Sequence, residues 1–224
     1  MGKIKYIILA FIFNTMLISI AMSQKKVSEL TIVYDYAIIS ADKESKQNNS
    51  VVNATNTIYI KANLSRFETV NTLFSSITIH DTKTGSAVVL KEVSGQKLLI
   101  RMTPENWQEK NKQYEGISFT NTSETKSIAG YKCVKAIATT KTGSTLSVYY
   151  TKELIPENKE YDIQFKNLDG LPLEYELTNK DLKIKYTLSA INLNPVPASR
   201  FDIPKSGYRE MTYEESKKNG MSAK

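Results

Sequence analysis

His80 is the only histidine and Cys133 the only cysteine in a chain of 224 residues, which removes most familiar catalytic and metal-binding constellations at once. A serine–histidine–acid site would have to use His80. Its neighbour Asp81 points to the opposite face if the strand continues, and no Gly-x-Ser-x-Gly elbow is present. One imidazole and one thiol do not make an ordinary zinc site without several carboxylates. Glu174 and Glu176 stand two apart on one strand face, a spacing that could bring two carboxylates to a sugar bond but equally describes a solvated outer face. Cys133 falls in the strand-like run Tyr131 to Ala136 and reads as a buried, inert thiol. No glycine-rich phosphate cradle occurs. The residues indicate no catalytic side chain, no metal site, no cofactor and no enzyme.

What remains with functional promise is an apolar, tyrosine-rich sheet face. From Val27 onward the pattern alternates with period two and is rich in Thr, Tyr, Val and Ile, the signature of half-buried antiparallel strands. Candidate strands are Leu30 to Ile39, Thr57 to Leu64, Ser75 to His80, Ser86 to Leu90, Lys97 to Met102, Gly116 to Thr120, Tyr131 to Thr140, Ser144 to Thr151, Asp162 to Lys166, Leu171 to Asn179 and Asp181 to Ala190. Turn residues at Thr82 to Gly85, Lys141 to Gly143 and Asn179 to Asp181 make successive strands neighbours in a meander. Leu173, Tyr175 and Leu177 oppose Glu174 and Glu176, and Ile58 and Ile60 oppose Tyr59 and Lys61, so one face is apolar and the other wet. About ten such strands must curl, either closing into a barrel or wrapping round whatever covers the apolar side.

Two short helices are expected. Thr103 as N-cap and Pro104 at the first helical position start one that runs to about Lys112, with Trp107 as its apolar anchor. Thr212 to Glu215 forms a capping box for a turn or two in a C-terminal stretch, 212–224, that reads as a polar tail with little apolar surface to dock. The stretch Ser40 to Asn56 is polar and Asn-rich and reads as a long loop.

The compartment is written at the start. Lys3 and Lys5 precede an apolar run from Tyr6 to Ile20, and Ala21 and Ser23 place small residues for cleavage before Gln24, so residues 1–23 read as a signal peptide. The run is shorter than the roughly 20 residues a spanning helix needs, so no membrane span is expected after cleavage. The location is periplasmic or secreted, with one β domain over 24–211. The net charge of +7 comes from scattered lysines without a dense basic run, which argues against nucleic acid.

Four blocks then carry a resemblance. Glu124 to Cys133, including Gly130-Tyr131-Lys132-Cys133, is the first. Val148 to Leu154, Leu168 to Tyr175, and Phe201 to Pro204 with Gly207 to Met211 follow. In this order they resemble the exported GLPGLI-type family of Bacteroidota-like Gram-negative bacteria, over roughly residues 120 to 211; the hexapeptide positions fall on Asn167 to Pro172, where Leu168, Gly170 and Leu171 agree. The resemblance implies a lipoprotein-carrier-like fold: an unclosed barrel of about eleven antiparallel strands, capped by short helices, with an apolar hollow. It implies no reaction. Gly130 is expected to permit a bulge that turns the strand into the curl.

Together these give a mainly β, strongly curved antiparallel meander and, as first function, an exported carrier or binding protein for a lipid-like or apolar ligand. Ile100, Tyr150, Leu173, Tyr175, Ile184 and Tyr186 would form the wall and Trp107 the lid. The alternative is a protein–protein interaction module of the envelope with a filled core, and an enzyme of unknown class comes third. A cavity of several hundred Å³ between the sheet and the Pro104 helix separates the first two.

Overall fold

The computed structural model describes residues 24–40, 54–70, 74–93, 95–179 and 182–219. Residues 1–23, expected to be a signal peptide, and positions 41–53 of the Asn-rich stretch lie outside the described residues.

The chain runs in two meanders. The first contains β2 (Glu29–Ser40), β3 (Ala54–Lys61), β4 (Leu64–Val70), β5 (Phe74–Asp81), β6 (Ala87–Val93) and β7 (Gln96–Met102), each antiparallel to the one before. Helix α1 (Pro104–Asn111) follows, and then the second meander with β8 (Thr120–Ile128), β9 (Tyr131–Thr139), β10 (Thr145–Thr151), β12 (Leu171–Asn179) and β13 (Leu182–Asn192). Strands β2 and β13 pair antiparallel and weld the two halves into one sheet. Its order is β14-β7-β6-β5-β4-β3-β2-β13-β12-β10-β9-β8, and its ends do not meet. The edge strand β14 (Arg209–Thr212) runs parallel to β7 and leads into helix α2 (Tyr213–Lys218). Two short strands, β1 (Lys25–Val27) and β11 (Leu154–Pro156), make a separate parallel pair.

Alternation decides which side chains meet. Leu30, Ile32, Tyr34, Ile58, Ile60, Leu146, Val148 and Leu173 fall on the inner face and are fully buried. They pack against Ile117, Tyr161, Phe165 and Leu168, which come from two irregular stretches laid across that face. These stretches contain the expected strands Gly116 to Thr120 and Asp162 to Lys166, neither of which forms. Residues 114–119 connect α1 to β8, and Ile163–Phe165 is a single 3₁₀ turn capped by Asp162, whose side chain accepts from the Gln164 amide. The spacing of Ile117 and Phe119 imitates a strand because both press onto the sheet, whereas of Ile163 and Phe165 only Phe165 enters that core.

Strands β1, β4, β8, β11 and β14 are not among those expected, and two of them, β4 and β8, escape notice for opposite reasons. Between β3 and β4 the turn is Ala62-Asn63, with Ala62 at φ 50°, and lacks the Gly or Pro that marks a hairpin. Strand β8 is an edge strand of polar residues with a register irregularity between Asn121 and Thr125, so it has no apolar alternation to read. At its end Ala129 and Gly130 both take positive φ, making a two-residue hairpin turn into β9. Gly130 therefore turns the chain between strands and does not introduce a bulge.

The wet outer face holds for β8–β13, where Lys126 and Lys185 reach Glu174, and Lys183 reaches Glu176. It fails over β5–β7. There residues 193–208 cross the outside, burying Ile79 under Val196 and Phe201, and Val88, Leu90 and Leu99 with Tyr208 against them. Glu29 pins this strap by accepting from the Val196 amide at 2.7 Å, and Arg66 donates to the Arg200 carbonyl at 2.6 Å.

Both expected helices form. Thr103 accepts from the Asn106 amide, and Asn106 returns a bond to the Thr103 amide. Thr212 and Glu215 close the second capping box. The polar-tail reading is corrected here: Tyr213 and Ser216 are buried, and one aromatic ring packed on the cluster of Val89, Ile100 and Met102 suffices to dock α2.

Candidate functional site

Helix α1 is held over the first meander by Trp107, whose ring packs on Ala87, Val89, Ile100 and Met102 and stacks on His80 at 4.4 Å between centroids, 19° from parallel. His80 is 2% exposed. It stands on the inner face of β5, opposite Ser65 of β4, and burial holds its imidazole below the ordinary range, against the pull of Glu160 and Asp81. The ring is therefore neutral at pH 7. Asp81 is occupied in the turn, accepting from the Asn63 side chain and from the Lys83 amide, so no acid–base relay runs through His80.

Between α1 and residues 160–167 lies a cavity of about 760 Å³. Its floor is His80 and Trp107, its apolar wall Pro104, Ile117 and Ile163 with Tyr114, and its rim a set of carboxylates and amides. Burial lifts the Tyr114 phenol to about 12, with Asp162 adding to the rise. The wall opposite α1 is set by Asp162, whose carboxylate caps Gln164 through the amide at 3.1 Å and the side-chain nitrogen at 2.8 Å. Burial raises this carboxyl to about 6, although both bonds from Gln164 and the charge of Lys110 oppose the rise. Lys110 itself is lowered by burial and by Lys91, with Asp162 acting the other way.

Of the seven residues expected to bind, the structure brings only Trp107 to this cavity. Ile100 is packed beneath it. Tyr150, Leu173 and Tyr175 belong to the core of the second meander, which Phe165 and Leu168 fill. Tyr175 makes an edge contact with Tyr34 at 5.4 Å and stacks on Tyr186 at 4.4 Å, while Tyr150 donates to Asn121 at 3.0 Å. Tyr186 and Ile184 are half-buried in β13. The wall missed by sequence reasoning is His80 with residues 160–167. His80 carried no signal beyond its place at a strand end beside a turn, since β6 and β7 separate it from α1 in the chain; for residues 160–167 no local signal exists, because they meet α1 only through the fold. Glu174 and Glu176 are ion-paired outside and bear no catalytic geometry. Cys133 is fully buried, and burial pushes its thiol up to about 11. Among the described residues no cluster of three or more metal-ligating side chains occurs and no helix is long and apolar enough to cross a membrane.

The fold is an unclosed antiparallel half-barrel with a cleft between α1 and residues 160–167. No family model matches the chain, and no curated protein does. Among solved structures it is similar to PNGF-II in a P21 crystal form, with a TM-score of 0.53 at 15% identity over 86% of this chain and 33% of that one. A C2 form of PNGF-II gives a TM-score of 0.50 at the same 15% identity, over 86% and 32%. The chain thus spans about a third of the length of PNGF-II. The LolA superfamily protein NE2245 from Nitrosomonas europaea is matched at 7% identity with a TM-score of 0.34, over 80% of this chain and 92% of that one. The likeness to PNGF-II is one of fold.

Proposed function

We propose that this is an exported, non-enzymatic binding or carrier protein that takes an amphipathic, lipid-like small molecule between α1 and residues 160–167. The observation that carries the reading is the cleft of about 760 Å³ between α1 and residues 160–167, beside the helix and not between it and the sheet, where Trp107 packs, and within the range of sites for drug-sized ligands. Its wall supplies an apolar strip of Pro104, Ile117 and Ile163 beside Trp107. Burial of a short alkyl chain there is favourable by about 25 cal/mol per Å² of apolar surface. Export rests on residues 1–23 and places the protein in the periplasm or outside the cell.

A second reading, an envelope protein-interaction module, draws on the core of the second meander, which the chain's own Tyr161, Phe165 and Leu168 fill. One titration separates the two. Trp107 is the only tryptophan, so its emission reports the cavity directly. Carriage predicts a saturable change on adding short-chain amphiphiles, and Trp107→Ala weakens that binding while costing about 3 kcal/mol of stability. A stability loss with no response to any amphiphile leaves the interaction module.

A further inference from the structure

Helix α1 sits on the first meander by a single ring. None of its eight residues is fully buried, and of its side chains only Trp107 joins the apolar floor of Ala87, Val89, Ile100 and Met102. A further tie, Glu109 to Lys217 at 2.8 Å, is exposed to solvent and screened by salt. The seat of the ring is poorly satisfied. Nδ1 of His80, Nε1 of Trp107 and Oγ of Ser65 are buried without a hydrogen-bond partner among the described residues, and Ser65 stands opposite His80 on β4. Each of the three counts against the closed arrangement, because water would pair it if the helix lifted.

Charge sharpens this conflict at His80. The residues packed against its ring are uncharged: Ser65 of β4, Ala87 of β6 and Trp107 of α1. The carboxylates that act on it are Glu160, paired with Lys166 across the cleft, and Asp81 in its own strand. Glu105, Glu109 and Lys112 line the same cleft from α1 and the turn after it, while Lys110 is drawn to Asp162. Glu160 and Asp81 favour a proton on the ring, yet burial outweighs them and keeps it neutral.

We infer that α1 is a lid that lifts from β5–β7 when His80 takes a proton, opening the cleft onto the apolar floor of Ala87, Val89, Ile100 and Met102. The closed state accepts only the neutral ring and the open state accepts either form. The lid is therefore held fully above pH 6.5 and released as pH falls below it. A ring that titrates at 6.5 when uncovered and stays neutral when covered raises the ratio of open to closed about tenfold at pH 5.5. An eight-residue helix is not stable off the fold, so lifting exposes its amides to exchange.

Hydrogen exchange of the α1 amides, corrected for intrinsic rates and referred to β10 and β12, reads that ratio at pH 7.5 and pH 5.5. Protection of Trp107 to Asn111 should fall about tenfold at the lower pH while the reference strands hold theirs. His80 is the only histidine, so its ring proton gives one NMR titration, expected to have its midpoint below 6.5 and to track the loss of protection. His80→Phe keeps a ring under Trp107 and removes the titration, and α1 should then be equally protected at both pH values. Ser65→Ala leaves the imidazole in place and should retain the tenfold change. Equal protection at both pH values in the parent protein overturns the lid, as does a histidine midpoint at or above 6.5 while α1 stays protected. A loss that survives His80→Phe overturns the assignment to His80 and gives it to Asp162, whose attraction for Lys110 of α1 also weakens on protonation.

Discussion

Gly170 approaches the Tyr150–Thr151 backbone so closely that a Cβ built on it would collide with the Thr151 carbonyl oxygen and come within 2.7 Å of the Tyr150 ring. Leu168 and Leu171 on either side are buried, and the next carbonyl, Pro172, accepts from the Tyr34 hydroxyl at 2.7 Å. The block that resembles a family signature is thus a packing device, which locks residues 157–168 onto β10. Gly170→Ala should cost about 1–3 kcal/mol, and more if β10 cannot yield, since backbone rather than a flexible side chain must move; chemical denaturation measures it. A loss under 0.5 kcal/mol would show that the contact relaxes freely. Cys133 gives a second residue-scale expectation. Fully buried, with its thiol raised to about 11, it should react with a maleimide only after denaturation. Rapid labelling of the folded protein would contradict this burial.

At the scale of elements, the segment from Glu157 to Leu168 decides whether the cavity exists, and the half-buried carboxyl of Asp162 makes its stability depend on pH. Asp162 has a folded value of about 6 against an ordinary 3.8, so the folded protein binds this proton more tightly than the unfolded chain does. Its contribution is fully present below about pH 4 and is lost as pH rises through 6. Asp162→Asn retains an oxygen acceptor for Gln164 and removes the titration. It should gain about 1–3 kcal/mol relative to the parent protein between pH 4 and pH 7, at 1.36 kcal/mol per pH unit, read as the difference between two denaturation series. Parallel pH profiles would refute it. The same segment marks the limit of what was legible. Helix α1 could be read to within a residue because Thr103 and Pro104 act locally, and the inner faces of β3, β10 and β12 followed from alternation. Residues 114–119 alternate for a different reason, to fit a surface already formed, and of Ile163 and Phe165 only Phe165 meets that surface, which period alone cannot tell. The candidate site suffered accordingly. Trp107 was found from its helix, whereas Tyr150, Leu173 and Tyr175 faced the right side of the sheet but under the stretch that fills it.

Across the whole molecule, the sheet's two halves differ in what covers them. The second meander is filled by its own chain and solvated outside by an ion-paired lattice around Glu174, while the first is strapped outside by residues 193–208 and roofed inside by α1. Curl was legible from strand number, but the outer strap was not, because Val196 and Phe201 are isolated apolar residues in an irregular run. The N-terminal strand ties the filled half to the cavity. The Lys25 amide donates to the Glu153 carbonyl at 2.8 Å, the Glu157 amide donates to the Val27 carbonyl at 2.9 Å, and Val27 is buried in the main core. Strand β1 thereby anchors β11 and the start of the segment that forms the cavity wall. Cleavage after Ser23 leaves this anchor intact, so the mature protein should begin at Gln24 by intact mass. Removing residues 24–27 as well takes away a buried valine, worth about 1.5 kcal/mol, and the two backbone bonds above at about 0.5–1.5 kcal/mol each. That form should lose about 2–4 kcal/mol and bind amphiphiles more weakly than the Gln24 form, because residues 160–167 are freed at one end. Equal stability with weakened binding would make β1 a part of the site alone, and equal stability with equal binding would show that β11 is held without it.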